Sequence, residues 1–171
     1  MKHTFTYCLL LTAYCLFAFS SCKVNYSFSG ASVSPDVKTV SIQYLKNNAS
    51  LAPSTISQSL TEALKDIFTS QTNLGTVSSG GDLNFDGEIV GYATAPVAIQ
   101  SNNQAALNRL TVIVHVVFTN KKDEKQNFDT SFSGFVDYPS SQSLTSVQGA
   151  LIDQVNQKLV QDIFNKAMIN W

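Results

Sequence analysis

Charge is what this sequence has least of. Asp, Glu, Lys and Arg make up 13% of its 171 residues, against about 25% in an average globular domain. A surface so poor in charge must be covered by Ser, Thr, Asn and Gln. The formal net charge is −1, and a sequence-independent nucleic-acid binder needs a basic surplus, so no nucleic-acid partner is expected. Arg109 is the one arginine, and the histidines number 2, His3 and His115. The cysteines are Cys8, Cys15 and Cys22, all close to the N-terminus. That scarcity excludes a Cys/His dyad and any zinc site needing several Cys or His ligands from the folded part of the chain. No G-x-G-x-x-G or Walker sequence is present, and Gly80-Gly81 alone reads as a turn. Neither an enzyme, a metal nor a cofactor is expected.

The N-terminus carries a different signal. Lys2 and His3 precede an apolar run from Tyr7 to Phe19, which is too short for a spanning helix of about 20 residues and fits the apolar region of a secretion signal. Small residues follow, Ser20-Ser21, and then Cys22. This resembles a lipoprotein signal, with residues 1–21 removed and Cys22 acylated as the new N-terminus. Phe19 stands where that motif commonly has Leu. Cleavage takes Cys8 and Cys15 away, and lipidation of Cys22 removes the last free thiol, a sensible outcome in an oxidising compartment. Loss of Lys2 moves the charge balance one unit further negative. Residues 22–36 read as the lipidated cysteine and a polar tether, broken by Gly30 and Pro35, and residues 37–171 as a single domain.

Within that domain, periodicity predicts four strands and two helices. Val40, Ile42 and Tyr44 alternate as on a half-buried strand. A helix is expected from Ser54 or Thr55, where Thr55 to Gln58 has capping-box spacing and Ile56, Leu60, Ala63, Leu64, Ile67 and Phe68 line one face. A second strand runs from Leu83 to about Thr94, and the stretch from Ala95 to Ala106 is expected to be a long, functional loop. Leu110, Val112, Val114, Val116 and Phe118 face one way on a third strand, joined by a charged turn to a fourth from Phe128 to Val136. A second helix is expected from Ser143 to Thr145, with capping-box spacing at Thr145 to Gln148, and runs nearly to Trp171. The expected architecture is an α+β two-layer sandwich: a four-stranded, mostly antiparallel sheet with both helices on one face. The other face, with Thr111, Ile113, His115, Val117 and Thr119 joined by Val90 and Tyr92, is then left uncovered, which points to a surface for a partner; the plain alternative is that Thr and Val simply favour strands at exposed sites.

Candidate chemistry is sparse. His115 sits mid-strand without a nucleophile-elbow sequence nearby. Asp82, Asp86 and Glu88 share parity and are read as a solvated strand face. Lys121, Lys122 and Lys125 with Asp123 and Glu124 form a mixed-charge hairpin tip. Arg109 is singled out because its planar fork suits a phosphate or carboxylate; the plain alternative is an ion pair with a nearby acid.

The segments Tyr26-Ser27-Phe28-Ser29-Gly30 after Cys22, Val37 to Ile42, Ser57 to Asp66, Gly81 to Ile89, Asn108 to Val112, Phe128 to Phe132 and Ala167 to Trp171 together resemble the LptE family of lipopolysaccharide-assembly lipoproteins, in the form typical of Bacteroidetes. The resemblance implies an outer-membrane lipoprotein facing the periplasm, which plugs and helps assemble the β-barrel translocon LptD and supports lipopolysaccharide transport to the cell surface. The fold it implies agrees with the periodicity. The basic residues credited with lipopolysaccharide contact in the proteobacterial branch do not match here residue by residue. Candidate contacts with the barrel or a ligand are Arg109, Ile113, Val117, Lys121 and Lys122. The alternative is a lipoprotein that binds lipopolysaccharide or another amphiphile directly, in a groove rimmed by Arg109 and the hairpin lysines.

Overall fold

A computed structural model describes residues 34–99 and 105–168. The expected signal segment, Cys22, most of the tether and residues 169–171 lie outside the described residues. In chain order the elements are β1 (Thr39–Ile42), β2 (Lys46–Asn47), α1 (Thr55–Gln71), β3 (Gly75–Val77), β4 (Leu83–Ile99), β5 (Ala105–Asn120), a 3-10 turn (Glu124–Gln126), β6 (Phe128–Pro139) and α2 (Leu144–Met168). The two-layer α+β arrangement is as expected, but the sheet is larger and of mixed direction. It has six strands in the order β3-β1-β4-β5-β6, with β2 paired to β4 beyond the end of β1.

The mixed direction has a simple origin. Helix α1 carries the chain back to the end of the sheet where β1 began, so β3 can only leave parallel to β1. The chain then crosses β1 to start β4, also parallel to it. That crossing is tight. A Cβ on Gly81 would lie 2.7 Å from the backbone nitrogen of Ser41, and Gly80 supplies the positive φ, 73°, that the turn needs. The crossing covers Ser41, which is buried although it faces away from the helices.

Three local expectations fail for identifiable reasons. Tyr44 is 58% exposed because β1 ends at Ile42, and Leu45 fills the core in its place. Tyr92, assigned by alternation to the open face, is buried. A β-bulge between Ile89 and Gly91 inserts Val90 as an extra residue and reverses the parity that follows. The stretch from Ala95 to Ala106 is mostly strand rather than loop, since β4 and β5 stay paired out to Ile99 and Ala105.

Both helices form where the 3.6-residue periodicity places them, but neither uses its expected capping box. Ser54 caps α1 without a side-chain hydrogen bond. At α2 the Ser146 N–H donates to Ser143 Oγ at 3.3 Å, and Gln148 reaches instead to the Tyr92 hydroxyl, 2.8 Å away. Asn156 of α2 donates to Ser59 of α1 at 3.0 Å. A run of aromatic rings ties both helices to the sheet: Phe164 to Phe68 at 5.0 Å, Phe68 to Phe85 at 4.9 Å, Phe85 to Phe118 at 4.7 Å and Phe118 to Phe128 at 5.0 Å. Edge-to-face and tilted pairs at these separations add to the burial of the rings themselves.

Candidate interaction face

Among the described residues, the helices cover one side of the sheet and leave the other bare. On β5 the residues facing the helices, Leu110, Val112, Val114, Val116 and Phe118, are fully buried. Their alternates are not: Ile113 is half-buried and Val117 is exposed. Register sets the neighbours of each. Ile113 lies between Gly91 and Ser133, Thr111 between Ala93 and Phe135, and Val117 between Asp86 and Asp129. With Val90 and Phe135, 43% and 44% exposed, these residues make a patch that is apolar at its middle and polar at its rim. Gly91 belongs to it, because a Cβ there would touch the Ile113 side chain.

The upper end of the sheet extends past the helices. Thr94, Ala95, Pro96 and Val97 are all exposed, irrespective of parity, although their partners Leu110, Arg109 and Asn108 on β5 remain paired with β6. No charged residue occurs between Glu88 and Arg109. The exposure of this end of β4 on both sides was not legible as such, although its missing charges were in view.

The single arginine takes the plain reading. Arg109 pairs across the sheet with Asp137 through two bonds, Nε to Oδ1 at 2.7 Å and Nη2 to Oδ2 at 2.9 Å. Its guanidinium also sits 3.9 Å from the centre of the Phe135 ring, with Lys158 Nζ 5.4 Å from the same ring. The hydrogen bond from Arg109 holds the Asp137 carboxyl below its ordinary range, and Asp137 raises Arg109 in return. Lys121 and Lys122 are likewise engaged. Lys121 Nζ donates to the Gly80 carbonyl at 2.7 Å, and Lys122 Nζ lies 3.3 Å from Asp82 Oδ1. The sheet therefore places Ile113 and Arg109 on one face, while the two lysines belong to the opposite end of the strand, beside the turn after Asn120.

Asp82, Asp86 and Glu88 do not converge. Asp82 closes the base of the sheet, accepting from the Lys38 and Thr39 amides at 2.9 and 3.1 Å and from Thr39 Oγ1 at 3.1 Å. Its pKa falls to about 2, chiefly through the Lys38 amide, against a desolvation cost, with Lys122 and Thr39 helping. Glu88 accepts from Asn48 instead. His115 Nε2 is 3.0 Å from Asp129 Oδ1, and Ser131 Oγ lies 3.5 Å from His115 Nδ1. A serine, a histidine and an aspartate thus share one face, but on an open sheet surface where water competes for each group. Among the described residues no cluster of three or more His, Cys, Asp or Glu side chains is set to hold a metal ion, and no helix is long and apolar enough to cross a membrane.

Fold and surface together define an α+β module in which, among the described residues, one face of the sheet is bare. The family model for lipopolysaccharide assembly, LptE, matches residues 37–167, and the chain belongs to the LptE family. The match gives the family and not the bacterial branch. Among solved structures the chain is similar to the hypothetical protein CT253 from Chlamydia trachomatis, at 9% identity and a TM-score of 0.53, over 78% of this chain and 99% of that one. It is also similar to a minor lipoprotein from Acinetobacter baumannii, at 14% identity and a TM-score of 0.49 over 76% and 91%. The rare lipoprotein B from Shewanella oneidensis gives 11%, 0.48, 75% and 90%. Comparison with curated proteins gives no match.

Proposed function

We propose that this protein is an outer-membrane lipoprotein, anchored on its periplasmic side through acylated Cys22, that plugs and helps assemble an LptD-type β-barrel and so supports lipopolysaccharide delivery to the cell surface. Membership of a lipopolysaccharide-assembly family supports the process. The observation that carries the plug role is the bare face around Ile113 and Val117, continuous with the exposed, uncharged end of β4 at Thr94 to Val97. An apolar middle with a polar rim is the composition of a protein interface rather than of a solvated sheet. One acyl chain holds a protein at a membrane only marginally, so a multiply acylated Cys22 is what anchors firmly, and the anchor raises local concentration while the face supplies the contact.

The test is affinity purification from native envelopes with Ile113→Lys or Val117→Asp protein. The expected result is loss of the copurifying barrel from a domain that still folds. Wild-type recovery of the barrel with both variants removes the proposal, as does full activity and membrane retention of Cys22→Ser protein. Direct lipopolysaccharide binding is the competing reading. It has less to draw on, because Arg109, Lys121 and Lys122 are each already held by a partner within the chain. Saturable binding of lipopolysaccharide by the soluble domain, abolished by Arg109→Ala, would restore it.

A further inference from the structure

Strand register arranges the bare face in rows. At one end Arg109 stands between Ala95 and Asp137, and at the other Val117 stands between Asp86 and Asp129. The first end is neutralised within the chain, because Arg109 and Asp137 hold each other through two hydrogen bonds. The second is not. The Asp129 side chain is 68% exposed and meets the imidazole of His115, with Nε2 at 3.0 Å. Asp86 is exposed, and its Oδ1 accepts from the amide of its own neighbour, Gly87, at 2.7 Å. Among the described residues neither carboxylate forms an ion pair with a lysine or arginine.

The lysines nearest in sequence are turned elsewhere, Lys121 to the Gly80 carbonyl and Lys122 to Asp82. Val117, 36% exposed, is therefore an apolar side chain set between two acids that the chain leaves without a cation. Neighbouring strands lie about 4.8 Å apart, so the two aspartate positions stand about 10 Å from each other across it.

In water such an arrangement costs little, since both carboxylates are solvated. Covering it is another matter. A partner that seals Ile113 and Val117 from solvent also strips water from the acids beside them, and a desolvated carboxylate is strongly unfavourable unless the partner brings a counter-charge. A lysine or arginine meets both needs at once, because its apolar stem can lie on a side chain such as Val117 while its charged head reaches a carboxylate alongside. A phosphate-bearing surface fits poorly, since two acids of the same sign repel it.

On the reading that this face seats a β-barrel, we propose that the barrel brings a lysine or arginine over Val117, its stem on the valine and its charge between Asp86 and Asp129. The anionic end of the face then fixes the orientation in which the module docks, with the self-neutralised Arg109 end away from the basic contact. Competition in cells tests this: differently tagged wild-type and variant full-length proteins are expressed together at matched abundance, and the share of copurified barrel held by each is measured. Asp86→Asn/Asp129→Asn is expected to hold about tenfold less barrel than wild type, the effect of losing two partly desolvated charged contacts, while Asp86→Glu/Asp129→Glu holds a near-equal share. An equal share for the Asn variant with Ile113→Lys excluded overturns the basic contact and leaves the docking face standing; equal shares for both remove the face as well. Photocrosslinking from benzoylphenylalanine placed at Ser131, which is exposed one row from Val117, identifies what covers this end. The expected product is a barrel peptide that carries a lysine or arginine. A crosslink to a second copy, to the N-terminal segment of the same chain or to a barrel peptide without a basic residue overturns the proposal, as does the absence of any barrel crosslink.

Discussion

The two faces of β5 are built from much the same residues and do different work. Val112, Val114 and Val116 on one side are completely buried; Ile113 and Val117 on the other remain in contact with water. β-Branched side chains favour a strand on either face, so composition does not separate the two. What separates them is whether a helix lies above. Phe85 meets Phe68, the ring that α1 brings down and against which Phe164 of α2 packs, whereas Ile113 lies between Gly91 and Ser133 across the sheet. Burial turns the first face into stability, and its absence leaves the second free for binding.

The contrast breaks most visibly from the buried side. Phe85→Ala removes a fully buried ring that touches two others and should cost about 3 to 5 kcal/mol, read as a lowered denaturation midpoint. Gly87→Ala belongs with it, since a Cβ there would collide with the His115 carbonyl oxygen; strand pairing must shift, and a large loss of stability is expected. The opposite face should respond in the other currency. Ile113→Lys is expected to leave the denaturation midpoint within the range of about 0.5 kcal/mol typical of surface changes while abolishing copurification. A comparable loss of stability would mean that this face is core.

Asp82→Asn probes the base of the sheet by pH. The folded carboxyl titrates near 2, below its ordinary 3.8, so its stabilising contribution is fully present above about pH 4 and is lost as pH falls through 2. The variant should be less stable at neutral pH and should show a flatter stability profile between pH 4 and 2; parallel profiles would remove Asp82 from this role. Arg109→Ala is the mildest change. Both members of its pair are about one-third exposed, at 36% and 32%, and solvent screens such pairs. Its midpoint should hardly move, and a large drop would show that the pair and the ring beneath it act as one unit.

The helices and the faces of β5 were legible because they rest on local periodicity. Ile56, Leu60, Leu64 and Phe68 must share one side of any helix, and Leu110 to Phe118 alternate without interruption. The errors arise where one distant backbone decides. Alternation carried Tyr92 to the wrong face because the extra residue at Val90 is a property of pairing with β5. Strands β2 and β3 are too short to leave a periodic trace, and β1 is parallel because α1 returns the chain to its start. Arg109 and the hairpin lysines stood out as isolated charges, but their partners, Asp137, Gly80 and Asp82, are distant in sequence. The open face around Ile113 was visible as a second apolar alternation, whereas the placement of Asp86 and Asp129 on either side of Val117 depends on strand register, which no sequence window contains.

Strand β1 has a mechanical consequence. Among the described residues it is the first strand, yet it lies inside the sheet, between β3 and β4 and parallel to both. A membrane anchor on the preceding chain would therefore pull along the axis of β1, toward the end where Asp82 clasps the Lys38 and Thr39 amides. A force in that direction shears two rows of hydrogen bonds together instead of peeling them apart one by one. Each row spans three paired positions, and a pull from the N-terminus would load both at once.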